Sequence, residues 1–143
     1  MDHVVHETLE ALPTPLSVCR VPDFSGLTPN AALCFTARTD EECSLVCDTR
    51  FVPDNASARE DGWQAFRIRG VLDFSLIGVL ARIASLLADA GISIFAVSTY
   101  NTDYILTKEP DRALRVLAEA GYRIIQPEAG AFGEQKFTPS TEE

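Results

Sequence analysis

The chain has 143 residues, 46% of them hydrophobic and 23% charged, with a formal net charge of −9. That length allows one ordinary domain or two small modules, with enough apolar side chains for a buried core. The acidic balance excludes a phosphate backbone as a favoured partner and argues against an anionic membrane surface.

Charge is unevenly placed. Residues 1–61 carry 4 basic and 11 acidic side chains, residues 62–127 carry 7 and 6, and residues 128–143 carry 1 and 4. A nearly neutral stretch with acidic flanks points to two modules. The start, Met1 to Glu7, lacks the basic region and apolar run of a secretory signal. No stretch reaches the roughly 18 apolar residues of a membrane helix, so a cytoplasmic protein is expected. His3 and His6 stand on a terminal arm, a poor place to hold a base or a metal to tolerance. Leu16–Val21 reads as a strand, Pro22–Asn30 as a loop, and Ala32–Arg38 and Cys43–Asp48 as further strands. Cys19, Cys34, Cys43 and Cys47 form no Cys-x-x-Cys and sit among apolar neighbours, which predicts reduced, buried thiols. Pro53–Gly62 is polar and acidic and reads as a linker.

Trp63–Gly70 alternates bulky and polar residues, as a strand does. Leu76–Ala90 carries an apolar stripe at helical spacing, with Asp73 or Ser75 to cap its start and Gly91 to end it. Ile92–Thr99 is a strand, Asn101-Thr102-Asp103 supplies turn chemistry, and Tyr104–Thr107 returns as a second strand. Pro110 opens a helix to Ala120, because its missing N–H has no partner in a first turn anyway. Tyr122–Ile125 is the last strand, stopped by Pro127. Leu-Ala-Asp-Ala-Gly at 87–91 is echoed by Leu-Ala-Glu-Ala-Gly at 117–121. Each half is strand, helix, glycine, strand. The order βαββαβ predicts an α+β, ferredoxin-like module: a four-stranded antiparallel sheet with both helices on one face. Its other face calls for cover from a second module or a second chain.

The run from Gly78 to Leu106, and within it Ile92–Leu106 above all, resembles the ACT-domain family. It is most similar to small bacterial tandem ACT-like proteins, whose domains resemble those of eukaryotic cytosolic arginine sensors. Residues 33–47 resemble the first module of that branch. The resemblance implies a tandem of two ACT-like modules. Residues 1–61 would form the first, degenerate one, with the tail 128–143 able to complete it by a returning strand, and residues 62–127 the complete one. It also implies amino-acid binding and frequent homodimerisation. The loop 72–78 keeps its glycine but has no proline. With no catalytic domain fused, any regulated enzyme would be a separate partner.

An amino acid needs both its charges met. The backbone N–H groups of Leu76, Ile77 and Gly78 at a helix start suit the carboxylate. Asp103 suits the ammonium, and Thr99, Asn101 and Thr102 can add hydrogen bonds. Each also has a structural reading: Gly78 as a close-packing glycine, Asp103 as a turn residue, Asp73 and Ser75 as helix caps. No catalytic set, metal site or cofactor motif is expected, since a serine or cysteine nucleophile would need a base within reach. The expected function is that of a non-catalytic protein that binds or senses a free amino acid or similar small metabolite. The alternative is an ACT-like dimerisation or partner-docking module without ligand.

Overall fold

The computed structural model describes residues 7–69 and 78–126. The strands are β1 (Thr8–Val21), β2 (Cys34–Arg38), β3 (Cys43–Asp48), β4 (Ala58–Ile68), β5 (Ile94–Ser98), β6 (Asp103–Thr107) and β7 (Arg123–Ile125). The helices are α1 (Val79–Asp89) and α2 (Pro110–Glu119). Asp73, Ser75, Leu76, Ile77, the tail 128–143 and both histidines lie outside the described residues. Among the described residues no helix is long and apolar enough to cross a membrane. The chain divides into two compact units, of which the described parts are residues 7–13 with 64–126, and Thr14–Trp63.

The first unit holds both helices. In α1, Val79, Ile83 and Leu87 recur four apart and are buried, so one stripe faces the sheet. The expected start at Leu76 needs correction: Gly78 takes φ 83°, ψ 7°, and the helix begins after it. A left-handed residue cannot continue a right-handed helix, and glycine adopts that conformation without a Cβ clash. In α2, Ala113, Leu114 and Leu117 are the buried residues, behind Pro110 in the first turn. These stripes meet Leu9, Phe66, Ile68, Ile105 and Tyr122 in one core.

The sheet order in this unit is β7-β1-β4-β6-β5, which corrects the expected four-stranded antiparallel sheet. The α+β, ferredoxin-like character stands, but the first residues of β1 are inserted between the module's first and last strands. The Arg69 N–H donates to the Thr8 carbonyl at 2.8 Å, and β7 runs parallel to β1, with Leu9 opposite Ile124. Alternate strand residues point to opposite faces. Phe66, Ile68 and Ile105 face the helices, so Ala65, Arg67, Tyr104 and Leu106 face away from them.

The strand expected at Leu16–Val21 begins at Thr8 instead. Pro13 and Pro15 conceal this, because proline interrupts most strands. The β7 ladder uses Thr8 to Glu10 and the β3 ladder uses Leu16 to Val21. Both prolines fall between them, where a missing N–H costs that edge no ladder bond.

The second unit has the order β2-β3-β1-β4. Cys19, Val21, Leu45 and Cys47 form its core, with Phe24, Leu27, Val52 and Ala56 packed on them from the loops. Cys34 stands opposite Cys47 in the β2–β3 ladder. The thiols are free; Cys19 and Cys47 are buried, Cys34 and Cys43 half-buried. The linker reading of Pro53–Gly62 fails for its second half, since Ala58–Gly62 belongs to β4. Those residues are exposed, and exposure without an apolar face looks like a linker in sequence. The β4 ladder to β1 orders them, and side chains add to it: Arg59 bonds Asp61 at 3.0 Å, and Ser17 donates to Asp61 at 2.6 Å.

Candidate functional site

The β5–β6 hairpin closes through residues 99–102. The Thr99 N–H donates to the Thr102 carbonyl at 2.8 Å, and the Thr99 hydroxyl donates to the same oxygen at 2.9 Å. Thr102 is buried, and its hydroxyl donates to the Ile68 carbonyl at 2.7 Å. The turn is thereby fastened to the end of β4, beside Arg67 and Arg69.

Strand pairing then assembles the charges. Arg67 stands opposite Tyr104 in the β4–β6 ladder. Its Nε donates to Glu10 Oε1 at 3.1 Å and its Nη1 to the Tyr104 hydroxyl at 3.2 Å. The guanidinium carbon lies 5.9 Å from the Tyr104 ring centroid, within cation–π range. Burial alone would lower the Arg67 pKa, but the Tyr104 hydroxyl and the Glu10 carboxylate outweigh it and raise the value. Arg67 is therefore permanently charged. Arg69 Nη1 lies 3.9 Å from the same Glu10 oxygen, and its side chain is half-exposed.

Between these groups and the turn opens a cleft of about 510 Å³, lined by Glu10, Arg67, Arg69, Thr99, Asn101 and Tyr104 among others. Its size is that of a small-molecule site. It offers two guanidiniums, one carboxylate and a side-chain amide. The guanidiniums suit a carboxylate and the Glu10 carboxylate suits an ammonium.

Of the residues expected from sequence, Thr99, Asn101 and Thr102 line this cleft. The two threonine hydroxyls hold the turn, which leaves Asn101 as the one with its side chain uncommitted. Asp103 pairs with Ser98 across the hairpin, and the Ser98 hydroxyl donates to it at 2.5 Å. Its neighbour Tyr104 lines the cleft, so the strand alternation turns Asp103 to the other face. Gly78 is not in the lining either, and Leu76 and Ile77 lie outside the described residues. Glu10, Arg67, Arg69 and Tyr104 were missed in the sequence reading. Arg67-Ile68-Arg69 did carry a signal, two cations at strand spacing flanking a buried isoleucine. Glu10 carried none, because the strand that positions it was hidden behind Pro13.

A sheet with two helices on one face and a polar cleft at its hairpin end defines an α+β module of the ferredoxin-like class. Residues 58–124 match the ACT domain, and it is this segment that is similar to the ACT-domain family. No curated protein matches the chain significantly. Among solved structures, a protein from Agobacterium tumefaciens is 26% identical, with a TM-score of 0.75 over 87% of this chain and 96% of that one. A Vibrio cholerae protein, described as of unknown function and a possible transport protein, is 21% identical, with a TM-score of 0.60 over 78% and 88%. Aspartate kinase from Synechocystis is 14% identical, with a TM-score of 0.58 over 88% of this chain and 28% of the kinase. The last two likenesses are likenesses of fold.

Proposed function

We propose that the protein is a non-catalytic, cytoplasmic regulatory module that binds a free amino acid in the cleft beside the β5–β6 turn. The match of residues 58–124 to the ACT domain, a family of regulatory domains, supports the regulatory reading. The observation that carries the binding reading is the convergence of Glu10, Arg67, Arg69 and Asn101 on one open cleft. The ligand carboxylate meets Arg69, its ammonium meets Glu10, and Asn101 donates to or accepts from either end. Thr99 and Thr102 hold the turn that presents Asn101. The protein acts as a homodimer on a separate enzyme, and residues 1–61 are a reduced ACT-like module in tandem with the complete module of residues 62–127. Ligand binding works by linkage: a ligand that prefers one state stabilises it by RT ln(1 + [L]/Kd).

A thermal-shift screen of the full chain against the twenty amino acids tests this. At 100 times Kd the stabilisation is about 2.7 kcal/mol, a shift of several degrees for a chain of this size. No shift with any amino acid at millimolar concentration would remove the binding reading, and a monomer by light scattering would remove the dimer.

A further inference from the structure

We infer that the cleft selects a dicarboxylic amino acid over neutral and basic ones; the inference rests on the amino-acid reading of this cleft. The warrant is its charge balance. Arg67 and Arg69 bring two positive charges, and Glu10 is the single carboxylate among the described residues of the lining. Arg67 reaches Glu10 at 3.1 Å and also bonds Tyr104, so the Glu10 charge is matched by Arg67. Arg69 is the surplus. Its ion-pair contact among the described residues, 3.9 Å to Glu10, is too long for a hydrogen bond. The other described lining groups, Ile68, Thr99, Asn101, Thr102 and Tyr104, are neutral.

A neutral amino acid brings a carboxylate and an ammonium and leaves that surplus in place. A basic one doubles it. A dicarboxylic amino acid brings net −1 and cancels it. Its second carboxylate takes the fork of Arg69 or the Asn101 amide, while its ammonium shares Glu10. Guanidinium is suited to this because it binds a carboxylate through two parallel N–H bonds in a fixed plane. The cleft is open at Arg69, whose side chain is 51% exposed, so a ligand reaches it without displacing a buried partner. The acidity of the whole chain does not oppose this, since residues 62–127 carry 7 basic and 6 acidic side chains.

The test is calorimetric titration of the full chain with L-glutamate against L-glutamine and L-aspartate against L-asparagine, pairs that match in size and differ in charge. At least one acidic member is expected to bind tenfold or more tighter than its amide, and L-lysine more weakly than either. Arg69→Gln, checked for fold by circular dichroism, is expected to abolish the preference, and Arg69→Lys to keep most of it. Amides that bind as tightly as the acids would overturn the inference and leave the amino-acid site standing. An undiminished preference in Arg69→Gln would overturn the role of Arg69. Absence of binding by any amino acid would overturn the site itself, and the inference with it.

Discussion

Cys47 illustrates how a single strand position sets a titration. It is 2% exposed in the second unit's core, and burial first, with Cys19, Cys34 and Asp48 beside it, pushes its thiol from 9.0 up to about 12. Below pH 9 the thiol is protonated whether the chain is folded or unfolded, and the contribution to stability is fully present. Between pH 9 and about 12 the unfolded chain gives up the proton while the folded one holds it. Stability then falls by about 1.4 kcal/mol per pH unit from this group. The neighbouring Cys19 is also raised, again by burial, and deepens the loss. Urea midpoints of the reduced protein at pH 8, 9, 10 and 10.5 are expected to drop progressively. Cys47→Ala, less stable at pH 8 because it leaves a cavity, is expected to show a flatter drop. Equal slopes in the two proteins would show that Cys47 is not the group responsible. The same residues indicate what the sequence yields at this scale. Apolar neighbours identified Cys19 and Cys47 as core thiols, but nothing in the spacing placed Cys34 opposite Cys47, because register depends on partners that a single strand does not name.

At the level of elements, the turn between β5 and β6 is the part on which the cleft depends. A buried hydrogen bond from the Thr102 hydroxyl to the Ile68 carbonyl tethers it. Thr102→Val keeps the shape and removes the donor, leaving a buried carbonyl short of a partner, at a cost of about 1–3 kcal/mol. The expected result is a lower melting temperature together with a weaker response to amino-acid ligands, since the turn no longer holds Asn101 in the cleft lining. A variant that melts lower yet keeps full affinity would separate the tether from the site. The hairpin was legible from Asn101-Thr102-Asp103, and both helices from their apolar stripes and closing glycines. Gly91 and Gly121 do adopt φ 76° and 109°. The start of α1 was not legible, because Gly78 stands inside an unbroken apolar run and only its conformation marks it as the residue before the helix. Half the cleft was legible for a similar reason. Turn residues announce themselves by type, whereas Glu10, Arg67 and Tyr104 gain meaning from the strands beside them.

For the molecule as a whole, the segment 58–124 that matches the ACT domain draws part of its sheet and core from outside itself. Among the described residues β7 pairs with β1 alone, and β1 lies outside the matched segment. Leu9, fully buried, belongs to the same core as Phe66, Ile83 and Leu117. Removing a buried leucine costs about 2–5 kcal/mol, and losing the β1 residues also takes the ladder bonds from β7 and from one edge of β4. Whole domains possess only about 5–15 kcal/mol, so for a two-layer core of this size the loss is a large share of the total. A fragment of residues 58–126 is therefore expected to show no cooperative thermal transition by circular dichroism, and a peptide of residues 7–15 in excess is expected to restore one. In the intact chain Leu9→Ala is expected to cost about 2–4 kcal/mol in urea unfolding. The contrary result has a clear structural meaning. A fragment that melts as sharply as the intact chain would require β7 to move beside β4 and recreate the four-stranded order that the βαββαβ pattern predicts, so that the inserted strand would be an addition to the module and not a component of it.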